Sequence, residues 1–163
     1  MIFFQNSMKK FIAIIIFVVV SLIFSACSYG IDFAVINFSK EVIEVEYVIT
    51  SQLDSLENTE TKPYKMNLSD WNARFGKKKW SEVPQSEYEF DPKTRKCKIK
   101  LNPNEVLRIS SQGDSVVTSE NSDNFLIERL HLRGANGDVT YKENQFFKQF
   151  EEKGYSYRFI AYR

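Results

Sequence analysis

The stretch Ile43–Ile49 reads IEVEYVI, and its apolar residues recur at every second position. Successive side chains of a β-strand point to opposite faces, so this period of two places the apolar residues on one face and Glu44 and Glu46 on the other. The stretch Lys96–Leu101, KCKIKL, repeats the pattern with lysines in place of the glutamates. Both stretches predict strands with one buried face and one face in solvent.

Working outward from these two stretches, the same alternation predicts further short strands. They are Tyr29–Val35, Tyr88–Phe90, Val106–Ser110, Phe125–Arg133, Asp138–Tyr141 and Tyr155–Tyr162. Polar residues 37–41 separate the first of them from Ile43–Ile49, which predicts that these two strands form a β-hairpin. A second hairpin is predicted at Gly134–Gly137, where Asn-Gly stands between two strand patterns. Turns are predicted at Asp91–Thr94 and Asn102–Glu105, each with a proline at its second position.

Helical patterns are few. Phe146, Phe147 and Phe150 share one face of a predicted helix over Glu143–Lys153, and Gly154 would end it. Ser69 is a candidate N-cap for a short helix that contains Trp71. The polar stretch 51–62 is expected to form a long loop. Together these elements predict a mainly β fold, an antiparallel β-sandwich of about seven to nine short strands with one short helix near the C-terminus. A small β-barrel is the alternative.

The first 27 residues carry an export pattern. Lys9 and Lys10 precede Phe11–Phe24, an apolar run of 14 residues without charge, which suits a signal core and is too short for a permanent membrane span. Phe24-Ser25-Ala26-Cys27 follows, with small residues before the cysteine. This arrangement resembles the signal peptide and lipobox of bacterial lipoproteins, although Phe24 stands where that family usually has leucine. Met8 would give a shorter signal than Met1 and is an alternative start.

The resemblance implies cleavage between Ala26 and Cys27 and attachment of fatty acyl groups, palmitate among them, to Cys27. Residues 1–26 would then be a signal peptide, and residues 27–163 a single β-rich domain. The resemblance also implies a place in the cell envelope, at the outer membrane if the cell has two membranes, because Ser28 rather than aspartate follows the cysteine. An uncleaved signal anchor, or an ordinary export signal with Cys27 incidental, are the alternatives. Ser28, Tyr29 and Gly30 leave little tether, so one end of the domain is expected to face the lipid headgroups.

The net charge of the chain limits the kinds of partner that it can bind. The chain has 22 basic and 21 acidic residues, and since Lys9 and Lys10 lie in the signal, residues 27–163 have a net charge of −1. A nucleic-acid-binding domain would show a basic excess, so no nucleic-acid partner is predicted.

The second cysteine, Cys97, falls on the apolar face of its strand and is expected to be a small buried side chain. His131, the single histidine of the chain, falls on the polar face of Leu130–Arg133. A Cys97–His131 catalytic pair is therefore a remote alternative. If Cys27 carries no lipid, a Cys27–Cys97 disulfide becomes the other use for these thiols.

No catalytic residue, metal ligand or cofactor is predicted, because phosphate loops, nucleophile elbows and metal-spaced ligands do not occur in the sequence. The best interaction patch combines aromatic rings with cations; its members are Trp71, Arg74, Lys77, Lys78, Lys79 and Trp80. It could contact lipid headgroups, a cell-wall component or an envelope protein. Alternatively, Trp71 and Phe75 pack in the core and the lysines are merely solvated. The sequence thus predicts a non-enzymatic, lipid-anchored binding module, with a small envelope enzyme of unfamiliar type as the alternative.

Overall fold

A computed structural model describes residues 30–50, 61–73, 79–113, 125–142, 149–152 and 157–163. These residues form two open sheets of six and five strands that pack face to face. Both sheets end in edge strands, so the chain forms the predicted sandwich rather than the barrel. Within these described ranges, nine strands have four residues or more and two have only two residues. The prediction of a mainly β fold is confirmed.

The six-stranded sheet has the order β10-β11-β1-β7-β3-β4. Its strands are β1 (Gly30–Asn37), β3 (Tyr64–Asn67), β4 (Ser81–Glu82), β7 (Glu105–Gly113), β10 (Glu151–Glu152) and β11 (Tyr157–Tyr162). β1 and β11 are parallel, and the other pairs are antiparallel.

The five-stranded sheet is antiparallel throughout and has the order β5-β6-β2-β8-β9. Its strands are β2 (Ile43–Ile49), β5 (Tyr88–Asp91), β6 (Lys96–Leu101), β8 (Ile127–Gly134) and β9 (Gly137–Lys142). The predicted turns at Asp91–Thr94 and Gly134–Gly137 join neighbouring strands of this sheet, and the turn at Asn102–Glu105 leads from β6 to β7. All three turn predictions are confirmed.

The main core lies between the sheets. Alternate residues of β2 and β6 face it, as predicted, and Cys97 is one of them with no exposed surface. Phe33 of β1 packs edge-to-face on Phe125 and Phe150, at centroid distances of 4.6 and 5.1 Å. Such edge-to-face pairs stabilise a core beyond the burial of their surface.

The predicted hairpin of β1 and β2 is wrong, because these strands belong to different sheets. β1 buries residues on both faces: Ile31, Phe33 and Val35 face the main core, whereas Ala34 and Ile36 face a second apolar cluster. A strand buried on both sides belongs in the middle of a covered sheet. β2 carries Glu44 and Glu46 on one face and therefore lies in the sheet whose outer face is solvated.

Two helix predictions need correction. The helix α1 (Leu68–Asn72) begins one residue before Ser69, and its N-cap is Asn67, without a side-chain capping bond. Of the predicted helix Glu143–Lys153, residues 143–148 and 153 lie outside the described residues. Gln149 is helical, but Glu151 and Glu152 form β10 against β11. Pairing with the last strand ends the helix earlier than the side-chain pattern indicated.

Candidate interaction surface

The outer face of the six-stranded sheet is covered by apolar and aromatic side chains, and we call it the aromatic face. Its buried members are Ala34, Ile36, Met66, Trp71 and Val106, with Leu68, Trp80 and Phe159 packed around them. Trp71 belongs to α1, the helix that follows β3, and its burial among these residues places α1 over the face. Trp71 contacts both Trp80 and Phe159 at centroid distances of 6.1 Å.

A partly buried ion pair lies beside these rings. An oxygen of Asp32 on β1 lies 3.5 Å from a terminal nitrogen of Arg108 on β7, and both side chains are about 15% exposed (15% and 14%). The indole nitrogen of Trp80 donates a 2.9 Å hydrogen bond to the other oxygen of Asp32. Asp32 therefore fixes Trp80 and Arg108 together.

Arg108 is enclosed by rings. Its guanidinium carbon lies 4.0 Å from the ring centroid of Tyr64 on β3 and 5.6 Å from that of Trp80. Cations are attracted to the faces of aromatic rings, so Arg108 holds Tyr64 and Trp80 around one charge. This arrangement positions Trp80, and with it the start of β4, against the sheet.

The residues predicted for the interaction patch differ in how far they are buried, and some of them lie outside the described residues. Trp71 is 1% exposed and packs in the core of the aromatic face, as the packing alternative expects. Trp80 is half-buried and Lys79 is exposed. Arg74, Phe75, Lys77 and Lys78 lie outside the described residues, as do Ala26 and Cys27 of the predicted cleavage and lipidation site.

The outer face of the five-stranded sheet has a different character, because cross-strand ion pairs cover it. Glu46 of β2 lies 2.9 Å from Lys96 and 3.5 Å from Lys98 of β6. Burial alone would raise the pKa of Glu46, but the hydrogen bonds and charges of the two lysines outweigh burial and lower this pKa. Arg133 contacts both Glu44 and Asp138. This face is polar and charge-balanced.

An open cleft of about 420 Å³ lies where β5 and β6 approach β3. Lys65, Lys98 and Lys100 line it together with Glu44, Glu87 and Glu89. Lys65 is shared between Glu87 and Glu105 at 3.7 and 3.6 Å. Since three lysines and three glutamates line the cleft, it has no strong field of one sign.

The predicted burial of Cys97 is confirmed. Burial raises the pKa of its thiol to about 12, and Tyr47, the residue opposite it on β2, is buried with its pKa raised well above 10.0. A thiol with such a pKa is protonated at neutral pH and a poor nucleophile. His131 lies on the opposite, outer face of the sheet, with Nε2 3.5 Å from Asp138. The Cys97–His131 pair is therefore excluded.

Within the described ranges, His, Cys, Asp and Glu side chains do not gather in threes that could hold a metal ion. The helices in that same part of the chain are all too short or too polar to span a bilayer. Compared with known proteins, the chain matches no family model, and no curated protein or solved structure is significantly similar to it.

The Asp32–Arg108–Trp80 cluster escaped the sequence analysis. Asp32 is the single charge of β1, and Arg108 lies between Leu107 and Ile109 in β7. A lone charge in such a strand is a signal for a buried pair, but the sequence does not show which charge meets which. That match depends on the antiparallel register of β1 and β7.

Proposed function

We propose that this protein is a lipid-anchored envelope protein whose β-sandwich acts as a non-enzymatic binding module at the membrane surface. Cys27 would carry the lipid, and the aromatic face would lie toward the headgroups. The observation that carries the proposal is the hydrogen bond from Trp80 to Asp32. It connects Trp80, and with it the neighbouring Lys79, to β1, the strand that follows Cys27.

The tether supports this arrangement. Ser28 and Tyr29 alone separate Cys27 from Gly30, the first residue of β1. Three residue steps reach on the order of 10 Å when extended. β1 lies in the middle of the six-stranded sheet, with β11 on one side and β7 on the other. A lipid on Cys27 would therefore hold this sheet, rather than the five-stranded sheet, close to the bilayer.

Lys79 and Trp80 fall within reach of the same bilayer. Asp32 follows Cys27 by five residues, which corresponds to at most about 18 Å of chain. The exposed Lys79 is next to the half-buried Trp80, which Asp32 holds. Near an anionic bilayer each such lysine contributes about 1 kcal/mol, and tryptophan favours the headgroup region. These positions favour the aromatic face over one end of the sandwich as the membrane-facing side.

The remaining predicted patch residues join the proposal through their place in the chain. Arg74, Lys77 and Lys78 lie between Trp71 and Trp80, both of which pack on the aromatic face. In this orientation the ion-paired face of the five-stranded sheet points away from the bilayer. We propose that it meets the partner, an envelope protein or a cell-wall component. For a cell with two membranes, the resemblance to bacterial lipoproteins and Ser28 after the cysteine support a location at the outer membrane.

Two exposed lysines provide a matched test. Lys79 adjoins the aromatic face, whereas Lys100 lies on the outer side of β6. The lipidated Lys79→Cys and Lys100→Cys proteins would each carry a fluorophore on the new cysteine. Each would be reconstituted in vesicles whose headgroups carry a quencher. The vesicles contain about 20 mol% phosphatidylglycerol, which gives an anionic surface on the order of natural membranes. We expect strong quenching at position 79 and little at position 100. Equal quenching at both, or stronger quenching at position 100, would contradict the proposed orientation.

A further inference from the structure

The edge strand β9 is the longest unpaired edge among the described strands. It pairs with β8 over Gly137–Lys142, and all of its residues except Tyr141 are exposed. The other edges are shorter: β4 and β10 have two residues each and β5 has four. Val139 of β9 is 39% exposed and is one of three large apolar side chains exposed in the described part of the chain. A long edge of this kind is a template for pairing with another strand.

The register of the β8–β9 hairpin determines which backbone groups of β9 are unpaired. Gly134 faces Gly137 across a two-residue turn, so these residues form the hydrogen-bonded pair that closes the hairpin. In an antiparallel ladder hydrogen-bonded and non-hydrogen-bonded pairs alternate. Val139 and Tyr141 therefore direct their backbone groups toward β8. Asp138, Thr140 and Lys142 direct theirs outward, away from the sheet.

We propose that β9 pairs with β9 of a second copy of this chain, antiparallel, about a two-fold axis at Thr140. In this register Thr140 faces Thr140 of the second copy, and Asp138 faces Lys142 of the second copy. These are the residues with outward backbone groups, so each pair exchanges both of its hydrogen bonds. Val139 then faces Tyr141 of the second copy on the side of the core.

Each of these side-chain pairs is favourable. Opposite charges, paired threonines and an aromatic ring against a β-branched residue are the cross-strand pairs that stabilise antiparallel sheets. Asp138 and Lys142 share the outer face, whereas Val139 and Tyr141 share the inner face, so both faces match at once. Parallel pairing in register would place Asp138 on Asp138 and Lys142 on Lys142. The charges of Asp138 and Lys142 thus disfavour parallel pairing and favour the antiparallel two-fold arrangement.

The two-fold axis is perpendicular to the sheet, so it joins the two five-stranded sheets into one continuous sheet. Both six-stranded sheets then lie on the same side of that layer. Two copies could therefore present their aromatic faces to one bilayer, but the dimer itself does not depend on lipid at Cys27. The interface is small, and we expect a dimer that dissociates on dilution.

A short cross-link across the axis tests the register. The Cα atoms of the hydrogen-bonded pair at Thr140 lie about 5.5 Å apart, and the Cβ atoms of such a pair are too far apart for an unstrained disulfide, so a short bifunctional thiol reagent is used. We expect the detergent-extracted full chain with Thr140→Cys to form cross-linked dimers with this reagent. The matched control is Glu89→Cys, at an exposed position on the opposite edge strand β5. The parent chain gives the background from its own cysteines.

The yield for Thr140→Cys should exceed that of Glu89→Cys by about tenfold, because only at position 140 are the two thiols close enough for the short reagent to span. Equal yields would overturn the proposal.

Charge exchange provides a second test that does not use cysteine. Asp138→Lys should shift the full chain toward the monomer in sedimentation equilibrium, because the new lysine side chain would face Lys142 of the second copy. The double variant Asp138→Lys/Lys142→Asp should restore the dimer. Asp138 also contacts Arg133 within one copy, and the double variant does not restore that contact. Restoration would therefore report the contact between copies, and failure to restore the dimer would overturn the proposal.

Discussion

The hydroxyl of Tyr162, the penultimate residue, donates a 2.8 Å hydrogen bond to the carbonyl of Gly137 at the start of β9. Tyr162 belongs to the six-stranded sheet and Gly137 to the five-stranded sheet. The bond therefore connects the two layers at one end of the sandwich. It also places the ring of Tyr162 against Gly134, the other glycine of the hairpin.

Gly134→Ala should destabilise the protein by about 2 kcal/mol, in the range of over-packed core positions. A Cβ atom at Gly134 would lie 2.6 Å from the Tyr162 hydroxyl and 2.9 Å from Cγ2 of Ile43, so one of them must move. Gly30→Ala is the matched control, because its Cβ would lie 3.6 Å from Ser111, an ordinary contact. Urea unfolding measures both variants. Equal free energies of unfolding for Gly134→Ala and Gly30→Ala would contradict the contact described at Gly134.

Asn37 on β1 is the cross-strand neighbour of Tyr162 and stabilises the same end of the sandwich. Asn37→Leu should lower the free energy of unfolding by roughly 2–4 kcal/mol. Its amide nitrogen donates to the carbonyls of Glu41 and Leu101 at 2.8 and 2.9 Å, and the side chain is fully buried. Leucine has a similar volume but leaves these carbonyls without their donor. The control is Asn102→Leu, at an exposed asparagine of the neighbouring turn, which should change the unfolding free energy by less than about 1 kcal/mol. A comparable loss in both variants would argue against this role for Asn37.

Asp32→Ala should release Trp80 from β1 and lower the unfolding free energy by about 2 kcal/mol, since it leaves Arg108 partly buried without its carboxylate. Acrylamide should quench the tryptophan fluorescence of the variant more strongly than that of the wild type. The change reports Trp80, because Trp71 and Trp80 are the two tryptophans and Trp71 is only 1% exposed. Glu44→Ala is the control, since it removes a surface partner of Arg133 and should cost less than about 1 kcal/mol. Unchanged quenching in Asp32→Ala would show that the Asp32 carboxylate does not hold Trp80.

Glu46→Gln should remove part of the acid sensitivity of the fold. Lys96 and Lys98 lower the pKa of Glu46 below 4.5, so the unfolded chain takes up this proton first as the pH falls. The stabilisation is therefore present above about pH 4.5 and disappears as the pH falls through the lowered pKa. Unfolding curves should show a higher free energy of unfolding for the wild type than for the variant at neutral pH, and this difference should disappear at low pH. The exposed Glu89→Gln serves as control, and a gap independent of pH would refute the mechanism.

Much of the fold could be predicted from the sequence because alternation is a local property. The faces of β2 and β6, the burial of Cys97 and the turns at Asp91 and Gly134 all follow from residues close together in the chain. The partners of β1 could not be predicted in this way. β1 pairs with β7 and β11, which are far away in sequence, and its position depends on packing on both faces.

The geometry of the aromatic face could be predicted only in part. The sequence singled out the segment that holds Trp71 and Trp80, both of which pack on this face, but the burial of Trp71 depends on α1 folding over the outer face of the sheet. Asp32 and Arg108 meet only because of the register of β1 and β7. Contacts of this kind depend on long-range pairing, for which a single sequence carries no local signal.

The most direct test of the lipid-anchor proposal is intact-mass spectrometry of the protein extracted from membranes, with Cys27→Ala as the control. The account predicts a chain that begins at Cys27 and carries diacylglyceryl and acyl groups, and their loss in the control. A mass that retains residues 1–26, or lacks them without any lipid, would contradict it.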